Sequence, residues 1–355
     1  MPRYLSFPDH QQPHRLAILL VNLGTPDAPD TASVRRYLAE FLADPRIVEQ
    51  PRWLWWLILN GIILRFRPAR SARNYAKVWT EAGSPLQVYT AALADQLQKA
   101  LGPDLAESVT VRHAMRYGSP GINDVLTELA HGGMRRLLVL PLFPQFSATT
   151  SASVLDAIGA TFRAWRFPPE LRFINDYHVE PAHIDALARS VESHWAKHGH
   201  AQRLLLSFHG IPERYVRNGD PYRDQCVATT QALRSRLGMN DENLLLSFQS
   251  RLGREPWLQP YTDKVLEELP AKGLRSVEVL CPGFAVDCLE TLEEIAITGR
   301  EQFFEGGGNE FHYIPCLNDG NDQVIAIRDL VLRHCQGWPE FDGVGSRQDR
   351  ALQDP

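Results

Sequence analysis

The residues best suited to chemistry follow two apolar runs of the chain. One run ends at His209, and the other leads into an acidic segment that carries Asp287, Glu290 and Glu294. In open parallel α/β sheets, ligands bind just beyond the carboxyl ends of the strands, where these residues are expected. An imidazole that faces carboxylates can bind a metal ion, move protons, or do both. A structural role for the histidine also stays open, because a histidine after a strand is often only hydrogen-bonded.

The acidic segment has the spacing of one helical face. A single helix over residues 287–303 would align four acidic side chains: Asp287, Glu290, Glu294 and Glu301. A solvated face of an amphipathic helix is one interpretation. Like charges four residues apart repel, however, and no basic residue follows before Arg300. A row of unneutralised acids therefore equally suits protons or a divalent cation.

The elements that position these residues alternate between strands and helices, which is the pattern of a parallel α/β sheet. We expect strands at residues 16–21, 109–113, 137–140, 204–208, 244–248 and 277–280. Helices fit at residues 31–42, 85–101 and 184–197, with Asp30 as the N-cap of the first.

The two halves of the chain resemble each other weakly, since residues 16–26 are similar to residues 204–212. This predicts two similar doubly wound domains with a ligand cleft between them. The expected boundaries are a flexible N-terminus at 1–14, domains at 15–168 and 169–336, and a flexible tail at 337–355. The last helix is expected to pack back across the domain junction.

Composition excludes several classes of protein. The chain has 355 residues, is 44% hydrophobic and 22% charged, and carries a net charge of −5, which disfavours nucleic acid as a partner. The five cysteines are widely spaced, and the polar N-terminus lacks a signal-peptide core, so we expect a reduced, cytoplasmic enzyme. No Gly-x-Gly-x-x-Gly, Walker-type or Gly-x-Ser-x-Gly motif is present, which argues against nucleotide binding and serine hydrolysis.

One segment is unusually apolar and aromatic. Residues 53–64, from Trp53 to Leu64, are flanked by several arginines and are too few to cross a bilayer, which needs about 20 residues. A buried helix is one interpretation. The other is an interfacial segment that lies on the inner-membrane surface and forms the lip of an apolar ligand pocket.

Short motifs distributed along the chain resemble those of the ferrochelatase family, from about residue 15 to residue 335. The matching segments are VNLGTP (21–26), GSPL (83–86), MRYG (115–118), FPQFS (143–147), SFHGIP (207–212), GDPY (219–222), FQSR (248–251), PWL (256–258) and CPGFAVDCLETLEE (281–294). Their number and order are what make the resemblance specific.

The resemblance implies two Rossmann-like domains, each a four-stranded parallel sheet flanked by helices, with an apolar active-site cleft between them. It implies that His209 and Glu290 are the catalytic pair and also receive the metal. Asp287 and Glu294 would form a proton or metal relay. The porphyrin-binding residues that it implies are Leu23, Ser84, Arg116, Tyr117, Phe146, Trp257 and Phe284.

The implied reaction is insertion of Fe²⁺ into protoporphyrin IX, with ferrous iron as a substrate and no permanently bound cofactor. A neutral imidazole can accept a pyrrole proton or bind Fe²⁺, and carboxylates can carry protons away. We favour His209 as the base and Glu290 as proton acceptor and relay. The alternatives are a coproporphyrin ferrochelatase, a cobalt chelatase of related fold, and a non-catalytic haem or porphyrin carrier.

The chain departs from the family in three places. Cys316 and Cys335 are isolated and Ala148 stands where some relatives have a cysteine, so we expect no [2Fe–2S] cluster and a monomer. Cys288 replaces a histidine that is common at that position. Thr298 stands where the acidic ladder would continue, which puts the lower part of the relay in doubt.

Overall fold

Two parallel β-sheets form the centre of the molecule in the computed structural model, which describes residues 4–7, 15–251, 253 and 255–341. The first sheet has the strand order β2-β1-β3-β4 and the second has the order β6-β5-β7-β8. The strands are β1 (Arg15–Gly24), β2 (Val109–Tyr117), β3 (Met134–Pro141), β4 (Glu170–Phe173), β5 (Arg203–His209), β6 (Leu244–Gln249), β7 (Ser276–Leu280) and β8 (Glu310–Ile314). All pairings are parallel, so the carboxyl ends of each sheet's strands lie along one edge. The expected fold of two similar Rossmann-like units is confirmed.

Helices cover both faces of each sheet. The α-helices are α1 (Thr31–Ala43), α2 (Arg52–Ile58), α3 (Leu64–Val78), α4 (Pro85–Ala100), α5 (Pro103–Ala106), α6 (Ile122–His131), α7 (Ser153–Phe162), α8 (Pro181–His198), α9 (Glu213–Arg217), α10 (Tyr222–Leu237), α11 (Thr262–Ala271), α12 (Leu289–Thr291), α13 (Arg300–Glu305) and α14 (Asn321–His334). Three π-helical segments join some of them: Leu59–Ile63, Ala148–Ala152 and Leu292–Gly299. A short 3₁₀ turn covers Pro339–Phe341. As expected, Asp30 caps α1, where its carboxylate accepts from the backbone N–H groups of Ala32 and Ser33.

The apolar strands explain why each sheet is buried between two helical layers. Successive side chains of β1 point to opposite faces, so Leu16, Ile18 and Leu20 pack with α4 and α14, whereas Ala17 and Leu19 pack with α6 and α7. The central strands of the second sheet are buried in the same way. A strand that is buried on both faces reads as a continuous apolar run, which is why the central strands were predictable.

The division of the chain between the sheets differs from the expected boundary at residue 168. Strand β4 pairs with β3, with Leu137 opposite Leu171, so the first sheet extends to Phe173. Strand β4 and its counterpart β8 are short edge strands that were not located individually. Helix α14 packs against both α4 and α8 and thereby joins the two halves.

The described residues near both ends of the chain pack against the fold, although they were expected to be flexible. Leu5 bridges to Trp165, and Phe7 packs edge-on against the same ring, so residues 4–7 are part of the fold. At the other end Trp338 is buried, and its indole N–H donates to Glu170. The expected tail therefore begins too early, because residues 337–341 pack on the first sheet. The rest of the expected flexible segments, residues 1–3, 8–14 and 342–355, lies outside the described residues.

Candidate active site

The site is built around His209, the last residue of β5. Its Nδ1 lies 2.6 Å from the carbonyl oxygen of Gly210. A carbonyl can only accept a hydrogen bond, so Nδ1 must carry the proton. In the neutral imidazole this assigns the lone pair to Nε2, which is then available to take a proton or to bind a cation.

Two aromatic residues lie close to His209. A Cβ at Gly210 would lie 3.3 Å from the Trp257 ring and 2.8 Å from the carbonyl oxygen of Gln249, so only glycine allows this close approach. The Phe284 ring centroid is 6.4 Å from that of His209. Both aromatic side chains are only partly buried, which leaves apolar surface beside the imidazole. Trp257 and Phe284 thus lie near His209, and their expected contact with a porphyrin stays a prediction.

The acidic segment is not the single helix over residues 287–303 that its spacing suggested. Helix α12 begins at Leu289, and residues 292–299 continue as a π-helix before α13. A π-helix has i→i+5 hydrogen bonds and therefore more residues per turn than an α-helix, which changes the side chains that align. Such π-helical turns occur frequently at functional sites.

Glu290 and Glu294 are held against the end of β6 by two polar residues. Gln249 pairs with His209 in the sheet, and its side-chain amide donates to the carbonyl oxygen of Glu290 at 2.7 Å. The backbone N–H of Ser250 donates to Glu294 Oε1 at 2.8 Å, and the Ser250 hydroxyl donates to Oε2. Ser250 adopts a positive φ of 66°, a conformation that non-glycine residues rarely adopt. The strand that pairs with the histidine strand therefore also fixes the acids.

The pKa of Glu294 depends on both His209 and Glu290. Burial raises the pKa of the Glu294 carboxyl, the bond from Ser250 and the His209 imidazole lower it, and the charge of Glu290 raises it. A cavity of about 310 Å³ adjoins this carboxyl and is lined by Ser250, Asp263, Thr298 and Gln302, among others. His209, Glu290 and Glu294 thus form one interacting set, and the cavity adjoins the last of them.

Asp287 is buried at the start of the acidic segment, and its expected place in the relay stays a prediction. It is only 3% exposed and precedes α12. Its carboxylate accepts hydrogen bonds from Tyr313, Thr291 and Asn318. These bonds use its oxygens to fix the start of the acidic segment, so its geometry is that of a structural anchor.

Arg116 and Tyr117 are also engaged elsewhere. Both donate to Oδ2 of Asp44, and Ser153 completes the buried network. Tyr117 is 1% exposed, and its hydroxyl cannot contact a ligand in this arrangement. The expectation that this pair forms a wall of the ligand pocket stays a prediction. Their bonds to Asp44, a partner distant in sequence, were not foreseen.

The remaining predicted ligand contacts differ in accessibility. Leu23 is partly buried in the same apolar cluster as Leu289, which places it near Glu290. Ser84 is buried, and its hydroxyl accepts from Thr25 at 2.8 Å. Phe146 is half-buried, and its backbone N–H donates to Gln225. Leu23 thus shares a cluster with a neighbour of Glu290, and Ser84 is linked through Thr25 to Tyr75, whose phenol interacts with the charge of Glu290.

Three residues of the first half that sequence reasoning missed face Glu290: Tyr37, Arg67 and Tyr75. Burial lowers the pKa of the Arg67 guanidinium, and the charge of Glu290 opposes this effect. Burial also raises the pKa of the Tyr37 and Tyr75 phenols, and Glu290 adds to this increase. The concentration of arginines after residue 64 was visible in the sequence, but nothing distinguished Arg67 from its exposed neighbours.

The apolar segment at residues 53–64 has one buried and one exposed face. Trp55 is buried and its indole N–H donates to the carbonyl oxygen of Leu42. Large apolar side chains are exposed in this segment and two residues beyond it: Trp53, Leu54, Trp56, Leu57, Ile62 and Phe66. We call this set the apolar lip. A fully buried helix is therefore excluded for this segment.

A preformed metal site and a membrane-spanning helix are both absent from the described residues. No three histidine, cysteine or acidic side chains among them converge on one ion position. None of the helices within the described ranges is both long and apolar enough to span a membrane. All five cysteines are buried and unpaired, and the expected absence of an iron–sulfur cluster stays a prediction.

Comparison with known proteins identifies relatives over most of the chain. The ferrochelatase family model matches residues 15–335. A ferrochelatase from Marinobacter nauticus is 52% identical, covering 93% of this chain and 89% of that protein. A ferrochelatase from Methylibium petroleiphilum is 53% identical, covering 93% of this chain and 91% of that protein.

Solved structures support the fold. SirB from Bacillus subtilis, solved with Fe³⁺, matches with a TM-score of 0.54 and 11% identity, covering 91% of this chain and 96% of that one. DR2241 from Deinococcus radiodurans, described as structurally similar to chelatases, matches with a TM-score of 0.51 and 13% identity, covering 90% of this chain and 55% of that one. At these identities the likeness concerns the arrangement of the two sheets.

Proposed function

The chain belongs to the ferrochelatase family, whose members insert a metal ion into a porphyrin for haem synthesis, and we propose that it inserts Fe²⁺ into protoporphyrin IX. Iron and porphyrin are both substrates in this reaction. Two pyrrole protons must leave as the metal enters. The observation that carries the proposal is the grouping of an imidazole with a free Nε2 and two carboxylates at adjoining strand ends.

His209 is proposed to accept the first pyrrole proton. Its Nδ1 is committed to the Gly210 carbonyl, so Nε2 is the nitrogen that reacts. Trp257 and Phe284 flank the imidazole with apolar surface on which a flat macrocycle can lie. Because Nε2 also suits Fe²⁺ as a ligand, the same nitrogen can contact the incoming iron.

Glu290 and Glu294 are proposed to take protons from the site to solvent. Glu294 has a raised pKa and lies beside the cavity of about 310 Å³. A carboxyl with a raised pKa exchanges protons nearer to neutral pH than an ordinary glutamate does. Thr298 lines the same cavity, so water in this space can serve where an acidic side chain at position 298 is missing.

Arg67 is proposed to bind a propionate of the porphyrin. Burial disfavours its charge, and a carboxylate partner would restore the interactions that the guanidinium loses when water is removed. Helix α3 also carries Tyr75 toward Glu290, so one helix presents a cation and a phenol to the cleft.

Protoporphyrin is the proposed substrate because the apolar lip belongs to the same side of the cleft. Trp55 and Leu59, which anchor the lip, pack in one cluster with Leu23 and Leu289. The vinyl-bearing edge of protoporphyrin is apolar, whereas coproporphyrin carries propionates at those positions. An apolar rim favours the former because burial of a carboxylate without a partner is costly.

The apolar lip is also proposed to attach the enzyme to a membrane surface. Its exposed tryptophans suit the headgroup region, and Arg52, Arg65, Arg70 and Arg73 can meet anionic lipid. Attachment would place the cleft next to the lipid bilayer, in which an apolar porphyrin dissolves.

The function is tested by anaerobic incubation of the purified full chain with Fe²⁺ and porphyrin, following the porphyrin absorption spectrum. Wild type should metallate protoporphyrin IX with a higher kcat/KM than coproporphyrin. His209→Ala and Glu290→Gln should each reduce kcat by about 10²–10⁴, the usual contribution of a positioned acid or base. His131→Ala, an exposed histidine of α6, is the matched control and should keep full activity.

Two results would contradict the proposal. Porphyrin that binds wild type but is never metallated would make the protein a carrier. Equal activity of wild type and the His209 and Glu290 variants would remove both residues from the mechanism, although the chain could still be a chelatase.

A further inference from the structure

A second group of imidazoles lies outside the active site, on the surface of the second half of the molecule. His194 and His198 are one helical turn apart near the end of α8, and His312 lies in the middle of the edge strand β8. The ring centroids are 4.6 Å apart for His194 and His198, and each is 5.2 Å from the centroid of His312. Three imidazoles therefore meet where α8 crosses the edge of the sheet.

These separations are those of imidazoles that share one metal ion. A tetrahedral Zn²⁺ holds imidazole nitrogens at about 2.0–2.1 Å, which puts the centroids of two bound rings about 5 Å apart. Two histidines at positions i and i+4 of a helix are also a recurring pair of zinc ligands. The triangle formed by the three rings thus has the size that such a site requires.

The hydrogen bonding around the rings also supports a metal site. The Nε2 of His194 is buried and has no hydrogen-bond partner among the described residues. The Nε2 of His312 lies 2.9 Å from Oε1 of Glu310, which leaves its Nδ1 for a ligand. A carboxylate bonded to the second nitrogen of a ligating histidine is the usual outer partner in metal sites.

We propose that His194, His198 and His312 form a surface site for a divalent transition-metal ion of the zinc type, with Glu310 orienting His312. The ring nitrogens of the described residues do not yet converge on one ion position, so binding requires rotation of the rings about their side-chain bonds. His198 is exposed and His312 is only half-buried, so both have room to turn.

The proposed site is separate from the catalytic one. His198 precedes the start of β5 by a few residues, whereas His209 is the last residue of that strand. Seven residues of β-strand span roughly 20 Å, so the two histidine sites lie toward opposite ends of the strands in the second sheet. A bound ion would connect the end of α8 to β8 and stabilise the fold in proportion to its occupancy.

Titration calorimetry of the full chain with ZnCl₂ at pH 7.5 tests the site, with thermal unfolding measured in parallel. His198→Ala and His312→Ala should each remove one equivalent of bound Zn²⁺, or weaken it by at least about tenfold, and should abolish the associated rise in Tm. Glu310→Gln should weaken the same equivalent by about 10–100-fold, as expected for an outer partner. Lowering the pH to 5.5 should weaken it as well, because protons compete for the nitrogens.

Two variants separate this site from other zinc binding. His131→Ala should leave the equivalent intact, and His209→Ala should also retain it, because that change affects only the catalytic cleft. The inference is overturned when His198→Ala and His312→Ala bind Zn²⁺ with the stoichiometry and affinity of wild type. Since neither residue is in the cleft, both variants should keep their metallation activity, which confirms that they are folded.

Discussion

At the scale of single residues, the pKa of Glu294 is the property that a single substitution can change most directly. Its carboxylate accepts two hydrogen bonds from Ser250, which stabilise the charged form against the cost of burial. These bonds depend on the positive φ of Ser250, which turns its N–H and hydroxyl toward the same carboxyl. Ser250 is therefore a positioning residue that sets where Glu294 titrates.

Replacement of Ser250 by alanine should move the acid limb of the pH–rate profile. The change removes the hydroxyl bond that lowers the pKa of Glu294, so that pKa rises further above its ordinary value. If Glu294 must be ionised to accept protons, activity is then lost at a higher pH as the solution is acidified. The loss of one bond to a charged group, about 1.5–3 kcal/mol, corresponds to a shift of about 1–2 pH units.

Ser250→Gly is the matched variant for this prediction. It removes the same hydroxyl but tolerates the positive φ without strain. Both variants should therefore show the same shift of kcat with pH, while the glycine variant should be the more stable. A lower kcat at every pH, with an unmoved acid limb, would mean that Ser250 serves only the structure.

Arg67 should act on substrate binding more than on chemistry. Arg67→Gln should raise the KM for protoporphyrin by about tenfold or more, because a charge-assisted bond to a propionate is worth about 1.5–3 kcal/mol. Its kcat should change little, since the propionate is remote from the pyrrole nitrogens. Arg70→Gln, an exposed arginine of the same helix, is the control. Equal KM values for the two variants would exclude Arg67 as the propionate partner.

Sequence reasoning predicted which of the proposed catalytic residues lie together better than it predicted the direction of individual side chains. His209 and the acids were recognisable because they end buried apolar runs, and parallel strands bring such ends together. Arg116 also lies near the end of a strand, but its guanidinium is paired with Asp44, which the sequence did not indicate. A contact between residues so far apart in sequence leaves no local signal, and the same holds for Asp287 and Asn318.

At the scale of elements, the edge strands and the acidic helix were the least predictable parts. Strands β4 and β8 are short and contain charged residues, because an edge strand is not enclosed on both sides. The π-helical turn at Leu292–Gly299 depends on an i→i+5 ladder that residue spacing does not report. The central strands, in contrast, were predicted to within a few residues.

The apolar lip makes a prediction that belongs to this scale. The double replacement of Trp53 and Trp56 by serine should reduce binding of the protein to anionic phospholipid vesicles by about tenfold or more, because two exposed indoles no longer enter the interface. Binding of wild type should also weaken with salt, since the flanking arginines act through unburied charge. Co-sedimentation with vesicles measures both effects.

Phe167→Ser is the control for the lip variants, because Phe167 is equally large and exposed but lies on another surface. It should bind vesicles as wild type does. Metallation of detergent-dispersed porphyrin should be similar in all three proteins. Unchanged vesicle binding of the Trp53 and Trp56 variant would exclude the lip as the attachment surface.

At the scale of the whole molecule, α8 and α14 connect the two sheets. Helix α14 packs on α4 and on α8, and a salt bridge of 2.9 Å joins Arg189 of α8 to Asp322 of α14. His183 lies in this junction, 5% exposed, with its ring packed edge-on against Tyr177. Its Nε2 has no hydrogen-bond partner among the described residues. Because this imidazole is buried in the junction between the two sheets, the stability of the folded protein depends on pH.

His183 should make the protein acid-sensitive in a defined window. Burial lowers its pKa from the ordinary 6.5 to about 4 in the folded protein. Above pH 6.5 the imidazole is neutral in both folded and unfolded chains, so it has no effect on the pH dependence of stability. As the pH falls from 6.5 toward 4, the unfolded chain takes up a proton that the folded one does not, and the free energy of unfolding decreases. The limiting loss is on the order of 3 kcal/mol for a shift of this size.

His183→Phe tests this linkage, because phenylalanine keeps the ring but cannot titrate. Urea unfolding at pH 7.5 and 5.0 should show a smaller loss of stability in the variant than in wild type. His113 and His194 also have lowered pKa values, so part of the acid sensitivity should remain. His131→Phe, at an exposed position, should reproduce the wild-type loss. An equal decrease in all three proteins would show that the buried imidazole of the junction is not coupled to unfolding, and acid lability would then have to arise elsewhere in the two sheets.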